Sequence, residues 1–263
     1  MRWVGVAGLV ALFALGGCRQ IFGIGDPGAT TGDGPPIPID SKLADAARGS
    51  DSGAPPSVLC DPIDGSLVGC WDFDGNLKDG GPHHLDISTA GVATYVTGHI
   101  GQAIDATNID LNVADSPVLD VDAVTIEAWI YADTLPGGGG ARAAILDNNS
   151  QYALYLESNN SIRCYAGPAT ANMSGVIAAH VWTHVACTAA GAQILAYVNG
   201  TQVAAGVMSS IPTSGTTGLT LGSDNPSGGG SRFSGRLDAV RLYNRALSAL
   251  EICQAHDPNC TQN

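Results

Sequence analysis

Carboxylates and imidazoles are the side chains of this sequence that could act on a substrate, and their spacing limits what they can do. Glycosidic cleavage needs one carboxyl as acid and a second about 5 Å away as nucleophile. The three Glu stand at Glu127, Glu157 and Glu251, too dispersed to share one strand face. The Asp residues fall mostly in turns, where solvated acids are common. His180-x-x-x-His184 has the zinc spacing of a helix. Val181 replaces the metalloprotease Glu, however, and the segment reads as a strand, where residues four apart lie about 13 Å apart. His184 is therefore expected to be packed and hydrogen-bonded, and His83-His84, in a Gly-Pro turn, to be exposed. Asp72-x-Asp74-Gly75-Asn76-x-x-Asp79 gathers oxygen side chains in one turn, but His83 stands where an EF-hand needs its bidentate Glu. Gly23-Ile-Gly25-Asp-Pro-Gly28 matches Gly-x-Gly-x-x-Gly. No strand precedes it, and Pro27 lacks the amide that a helix start would offer a pyrophosphate. No Gly-x-Ser-x-Gly elbow occurs.

Charge narrows the partners. Asp and Glu number 24 against 11 Lys plus Arg, a formal net charge of −13. Such a chain repels phosphate backbones, and no Lys/Arg cluster offsets this, so nucleic acid is excluded as a partner. The only lysines are Lys42 and Lys78, which leaves no phosphate loop. Glycine fills 35 of 263 positions, which suits a turn-rich chain and disfavours a helical bundle.

The chain opens with one cation, Arg2, then an apolar run from Trp3 to Leu15 ending in Leu15-Gly16-Gly17-Cys18. About 13 apolar residues make roughly 20 Å of helix, short of the ~30 Å hydrocarbon core, so the run reads as a secretory signal over residues 1–17. The Leu-Gly-Gly-Cys ending resembles the bacterial lipobox. That resemblance implies a lipidated N-terminus at Cys18, a membrane anchor, and, with Arg19 following, the outer membrane. Residues 18–59 carry Gly, Pro, Ala, Ser and Asp without hydrophobic periodicity, the composition of a disordered tether.

From Cys60 to the end, over residues 60–263, short β-rich runs recur between Gly, Asn, Asp and Pro clusters. They are expected at Leu67–Phe73, Ala93–Val96, Gln102–Ala106, Val124–Ala132, Ala143–Asp147, Tyr152–Glu157 and Ser161–Tyr165. More are expected at Thr183–Thr188, Gln193–Val198, Thr201–Ala205, Leu219–Gly222 and Gly235–Tyr243. This spacing signals a sandwich or barrel. Asn199-Gly200 supplies the two positive φ angles of a type I′ hairpin turn. Ser248 to Glu251 forms a capping box, predicting one short C-terminal helix with Leu250, Ile252 and Cys253 against the sheet.

The motifs, in order, are Leu67-Val-Gly-Cys-Trp-Asp-Phe-Asp-Gly-Asn76 with Asp79, Gly98-His-Ile-Gly-Gln-Ala-Ile104, Val124-Thr-Ile-Glu-Ala-Trp-Ile130, Trp182-Thr-His-Val-Ala186, Ala196-Tyr-Val-Asn-Gly200 and Gly235-Arg-Leu-Asp-Ala-Val-Arg-Leu-Tyr-Asn-Arg-Ala-Leu-Ser248. Over about residues 65–255 this order resembles the laminin-G-like jelly rolls of the concanavalin A-like lectin/glucanase superfamily. The resemblance implies an all-β, two-sheet antiparallel jelly-roll sandwich with the first strand near the last. Glucanases of this fold carry paired Glu on one strand, absent here, so the expectation is a non-catalytic module binding carbohydrate or protein. The alternatives are a structural or adhesive envelope protein, or a glycan-active hydrolase. Several relatives hold a structural calcium, and Asp79 and Asp238 best match its position, with Asp74 as a third ligand. The plainer reading has these acids cap turns and pair with Arg236 or Arg241. Trp71, Trp129 and Trp182 fall in core-like motifs.

Setting Cys18 aside leaves Cys60, Cys70, Cys164, Cys187, Cys253 and Cys260, an even number in an exported chain and hence up to three disulfides. Cys164 and Cys187 lie in consecutive predicted strands, expected to be antiparallel neighbours, and are the leading pair. Cys60–Cys70 and Cys253–Cys260 are local pairings. The domain's ends should meet, so those four could also exchange partners.

Overall fold

The computed structural model describes Cys60 and residues 65–138, 141–224 and 231–261. The signal segment, Cys18, the tether and its glycine match lie outside the described residues.

Alternating apolar residues build two antiparallel sheets. The first runs β13 (Thr201–Val207), β12 (Gln193–Val198), β11 (Trp182–Ala190), β6 (Val124–Ala132), β15 (Gly235–Tyr243), β4 (Gln102–Asp105) and β3 (Tyr95–Thr97), with β1 (Leu67–Trp71) also paired to β15. The second runs β10 (Ala169–Met173), β9 (Ser161–Ala166), β8 (Tyr152–Glu157), β7 (Arg142–Asn148), β14 (Leu219–Leu221), β5 (Leu111–Val113) and β2 (Ile87–Ser88). This is the expected jelly-roll sandwich, and the first strand does lie on the last, with Trp71 opposite Val240. The turn at Asn199 (φ 47°) and Gly200 (φ 73°) closes the β12–β13 hairpin, as the two left-handed residues of a primed turn require.

The sheets pack over one core, into which Trp71, Phe73, Ile126, Ile130, Leu154, Ile162, Leu237 and Leu242 are sunk. Trp71 keeps its indole N–H satisfied by donating to the Leu85 carbonyl at 2.9 Å, as a buried indole must. A second apolar cluster lies under the helix α1 (Ala249–His256), where Leu67, Ala186, Tyr197, Tyr243, Leu247 and Ile252 meet. The helix begins in the expected capping box, Ser248 accepting from the Glu251 amide and Glu251 from the Ser248 amide. Leu250 does not face the sheet. It is 37% exposed while Ile252 is fully buried, because a helix this short turns only one stripe inward.

Three disulfides join Cys60 to Cys70, Cys164 to Cys187, and Cys253 to Cys260. The middle one is not between neighbouring strands. Cys164 belongs to β9 of the second sheet and Cys187 to β11 of the first, so the bond crosses the sandwich core. Strand β10 intervenes in sequence and carries the chain along the edge before it crosses. A sequence separation of 23 makes such a link worth about 3 kcal/mol in the chain-entropy description.

Candidate functional site

The outer face of the first sheet holds the chemistry. In β6, Val124, Ile126, Ala128 and Ile130 point into the core, so the opposite parity sends Thr125, Glu127, Trp129 and Tyr131 outward. In β11, Val185, Cys187 and Ala189 enter the core, and Trp182 and His184 share the outer face. The strands pair Trp182 with Tyr131 and His184 with Trp129. In β15, Leu237, Val240 and Leu242 are the core positions. The odd step between them is a bulge, with the register shifting between Asp238 and Arg241 and Ala239 at φ 47°. The bulge lets Arg236, Asp238 and Arg241 all face outward, a known use of an extra residue beside functional groups.

Trp129 and Trp182 therefore sit outside the core, unlike Trp71. They join a run of rings across the sheet: His99 stacks on Trp129 with centroids 3.5 Å apart, His184 and His256 flank it at 5.3 and 5.4 Å, and Trp182 meets Tyr131 at 5.6 Å. Arg236 lies over the Tyr131 ring, 4.5 Å from its centroid. Trp129 is covered, only 4% exposed, whereas His99 and His180 are exposed and Trp182 and Tyr131 half-buried. Burial, and next the neighbouring imidazoles, push the His99 ring below its ordinary pKa, and burial followed by His184 does the same to His256. Both are thus neutral at pH 7 and can stack on the indole without carrying a charge into it. His180 lies in a turn at φ 62°, its amide donating to Ala132, just before β11 begins. It shares no metal geometry with His184.

Glu127, His184 and Arg241 form a buried polar knot beneath the helix. Arg241 Nε stands 2.8 Å from Glu127 Oε1, His184 Nε2 is 3.5 Å from Oε2, and the Tyr243 hydroxyl donates to Oε1 at 3.4 Å. Burial pushes the Glu127 carboxyl up, but the guanidinium of Arg241, with His184 and Tyr243, outweighs it and holds the pKa below its ordinary value. The His184 ring is 1% exposed, packed as expected, but the expected hydrogen bond is not made: neither ring nitrogen has a hydrogen-bond partner among the described residues, and Nε2 only faces the carboxylate. The plainer reading, in which the three candidate metal acids cap turns and pair with Arg236 or Arg241, does not hold for the arginines: Arg241 pairs with Glu127, and Arg236 lies over Tyr131.

Those three acids separate into two places. Asp79 accepts from the amides of Cys70 (2.8 Å), Gly81 (2.7 Å) and Leu85 (2.8 Å), which makes it the anchor of its own turn. Asp74 and Asp238 instead face each other across the β3–β4 hairpin loop, Gly98 to Gln102. Asp74 accepts from the Gln102 amide at 2.6 Å, and Asp238 Oδ2 from the Ile100 amide at 2.9 Å. Glycine is required at both contacts. A Cβ on Gly98 would come 2.6 Å from Asp238 Oδ2, and one on Gly101 (φ +57°) would collide with Asp74. Asp238 is fully buried, and its Oδ1 has no hydrogen-bond partner among the described residues. Burial, with the like charge of Asp74 adding to it, pushes its pKa up to about 7 against the pull of the loop amides. Among the described residues no three His, Cys, Asp or Glu gather as a metal group, so a cation here would have only Asp74 and Asp238 as side-chain ligands. An orphaned, buried carboxylate oxygen beside a second carboxylate fits a hard cation such as calcium.

The two other glutamates are engaged. Glu157 pairs with Arg163, and Glu251 with Arg245 and the helix cap. A cavity of about 500 Å³ opens elsewhere, at the sandwich rim by His83, Asp120 and Asp122, but no Trp, Tyr or Phe lines it.

The sequence profile of a laminin-G-like family, described as the concanavalin A-like lectin/glucanases superfamily, matches residues 105–253, more than half of the chain. Among solved structures, domain 4 of an extracellular GH43 arabinanase from Geobacillus stearothermophilus, in complex with arabinotriose, is similar at 16% identity and a TM-score of 0.59, over 73% of this chain and 98% of that one. A mutant Trypanosoma rangeli sialidase displaying trans-sialidase activity is similar at 21% identity and TM-score 0.55, over 72% of this chain and 32% of that one. The binding domain of botulinum neurotoxin DC, in complex with SialylT, gives 13% identity and TM-score 0.53, over 73% and 51%. No curated protein matches the sequence. With its two-sheet jelly roll and more than half its length matched by the family profile, the chain belongs to the concanavalin A-like lectin/glucanases superfamily.

Proposed function

We propose that this chain is a non-catalytic saccharide-binding module held at the outer membrane by a lipid on Cys18, with residues 19–59 as its tether. The observation that carries the reading is the ring platform on the outer face of the first sheet. Trp182 and Tyr131 present half-open aromatic faces, with Arg236 and the exposed His99 and His180 around them. Sugar C–H faces stack on such rings while their hydroxyls meet the polar rim. Similar folds solved with arabinotriose and with SialylT support a glycan as the ligand. The non-catalytic half is supported by the engagement of all three Glu in ion pairs or a cap, since a hydrolytic pair needs two free, convergent carboxyls. A calcium ion on Asp74 and Asp238 would fix the loop that lays His99 on Trp129, and so hold the platform's edge.

A glycan array probed with the chain from Arg19 onward tests the binding. At least one glycan class should be retained, and Trp182→Ala should weaken it about tenfold or more, the worth of one stacked ring. An array blank for the wild type ends the binding reading, and an unaffected Trp182→Ala moves the site off this face. The anchor has a separate test. Cys18→Ala should release the protein from the membrane fraction, and normal retention would refute lipidation.

A further inference from the structure

The outer face of the second sheet carries a cleft of its own. In the strand register Ala144 of β7 lies opposite Tyr155 of β8, which lies opposite Arg163 of β9. One step along, Asp147 lies opposite Ala153, which lies opposite Tyr165. The two alanines are fully buried and sink the middle of the face, while Arg142, Asp147, Arg163 and Tyr165 stand around a depression of about 180 Å³. The walls are set in advance. The Tyr155 ring lies between two guanidiniums, Arg142 at 4.6 Å and Arg163 at 5.8 Å from its centroid, and its hydroxyl donates to Asp147. From outside, Asp224 holds Arg142 at 3.1 Å and Glu157 holds Arg163.

A sheet surface has no structural need for such groups. Asp147 is 4% exposed and Tyr155 5%, and apolar side chains of the same volume would pack there without the cost of burying charge. Arg163 Nε is buried with no acceptor among the described residues, and an unmade hydrogen bond there awaits one from outside. The charges select the ligand class. Two arginines face three acids, Asp147, Glu157 and Asp224, so an anion gains nothing. A neutral polyol gains a great deal, because each hydroxyl both donates and accepts. The Asp147 carboxylate accepts, the guanidiniums and the Asn149 amide donate, and the half-exposed Tyr165 ring can cover a C–H face. The volume falls below the roughly 300–1,000 Å³ of pockets for larger ligands, and so suits one ring.

We propose that this cleft binds a single neutral sugar ring, as a second site independent of the ring platform on the other sheet. Two sites on opposite faces of a tethered module would let one molecule bridge two glycan chains.

Saturation-transfer NMR on the purified chain from Arg19 onward, with methyl glycosides of glucose, galactose, mannose, xylose, arabinose and glucuronic acid, tests the assignment. At least one neutral glycoside should show saturable millimolar binding, retained in Trp182→Ala and weakened tenfold or more in both Tyr165→Ala and Asp147→Asn. Tyr165→Ala alters only a half-exposed ring, so it reads the cleft even where Asp147→Asn perturbs folding. The proposal is overturned if no neutral glycoside saturates, if binding survives Tyr165→Ala, or if glucuronide is bound in preference to all neutral sugars. Loss of binding in Trp182→Ala alone would assign the sugar to the platform and leave this cleft without a ligand. Retention there with a blank platform would separate the two sites the other way.

Discussion

Glu127→Ala should remove about 3–5 kcal/mol of folding stability, the cost of leaving a buried charge without its partner. The carboxylate is 1% exposed, lies 2.8 Å from Arg241 Nε, and faces the His184 ring beneath the C-terminal helix. Without it Arg241 keeps a desolvated guanidinium with nothing opposite. Urea unfolding should show the midpoint falling with little change in slope. The double variant Glu127→Leu, Arg241→Met should recover most of the loss, because well-packed apolar residues replace a buried pair at little or no cost. The pH dependence has a definite sign. The folded state holds the Glu127 pKa below its ordinary value, so its contribution is full above the unfolded carboxylate range and drains as pH falls through the lowered pKa. A catalytic acid would be shifted the opposite way. A loss below 1 kcal/mol for Glu127→Ala would show that the knot is not holding the helix side of the fold, and would return Glu127 to the list of groups available for chemistry.

The parts of this molecule that were legible in the sequence are those whose pattern is local. Val124–Ala132, Tyr152–Glu157, Gln193–Val198 and Gly235–Tyr243 begin and end where their apolar runs do, and the helix starts at its capping box. Ile87–Ser88, Leu111–Val113 and Ala169–Met173 were not legible. The first two are too short to show an alternation, and Ala-Thr-Ala-Asn-Met has little β-branched or aromatic content. Trp129 and Trp182 show a signal that motif membership conceals. Trp129 has the parity of Thr125 and Glu127, not of Ile126 and Ile130, and strand parity alone sends it outward. Asp238 and Arg241, three residues apart, share a face only through the bulge at Ala239, which no periodicity announces. The sheet to which Cys164 and Cys187 each belong is likewise a matter of topology. The platform itself draws on β6, β11, the β3–β4 loop and α1, so it exists only once distant segments are brought together.

Asp238 should make the protein less stable as pH rises, and Asp238→Asn should abolish that slope. Burial pushes its pKa up to about 7, against 3.8 for the free side chain. Between those values the folded state holds a proton that the unfolded chain has released, so folding free energy is lost as pH climbs through this window. The full loss is at most about 4 kcal/mol, at about 1.4 kcal/mol for each tenfold difference in proton affinity. Wild type and Asp238→Asn should therefore coincide near pH 3.5 and diverge up to pH 8, where the variant is the more stable in urea titrations. A parallel pair of curves would sink the claim that this carboxyl is held protonated. Calcium reverses the sign for the wild type alone. A cation on Asp74 and Asp238 displaces the proton and neutralises the repulsion between the two carboxylates, so it binds more tightly at high pH. Millimolar calcium should then raise the wild-type Tm more at pH 8 than at pH 5.5, by an amount set by its concentration relative to its Kd. It should leave Asp238→Asn unmoved. A wild-type Tm indifferent to calcium at pH 8 would refute the cation, and the Gly98–Gln102 loop would then be held by its amide bonds to Asp74 and Asp238 alone.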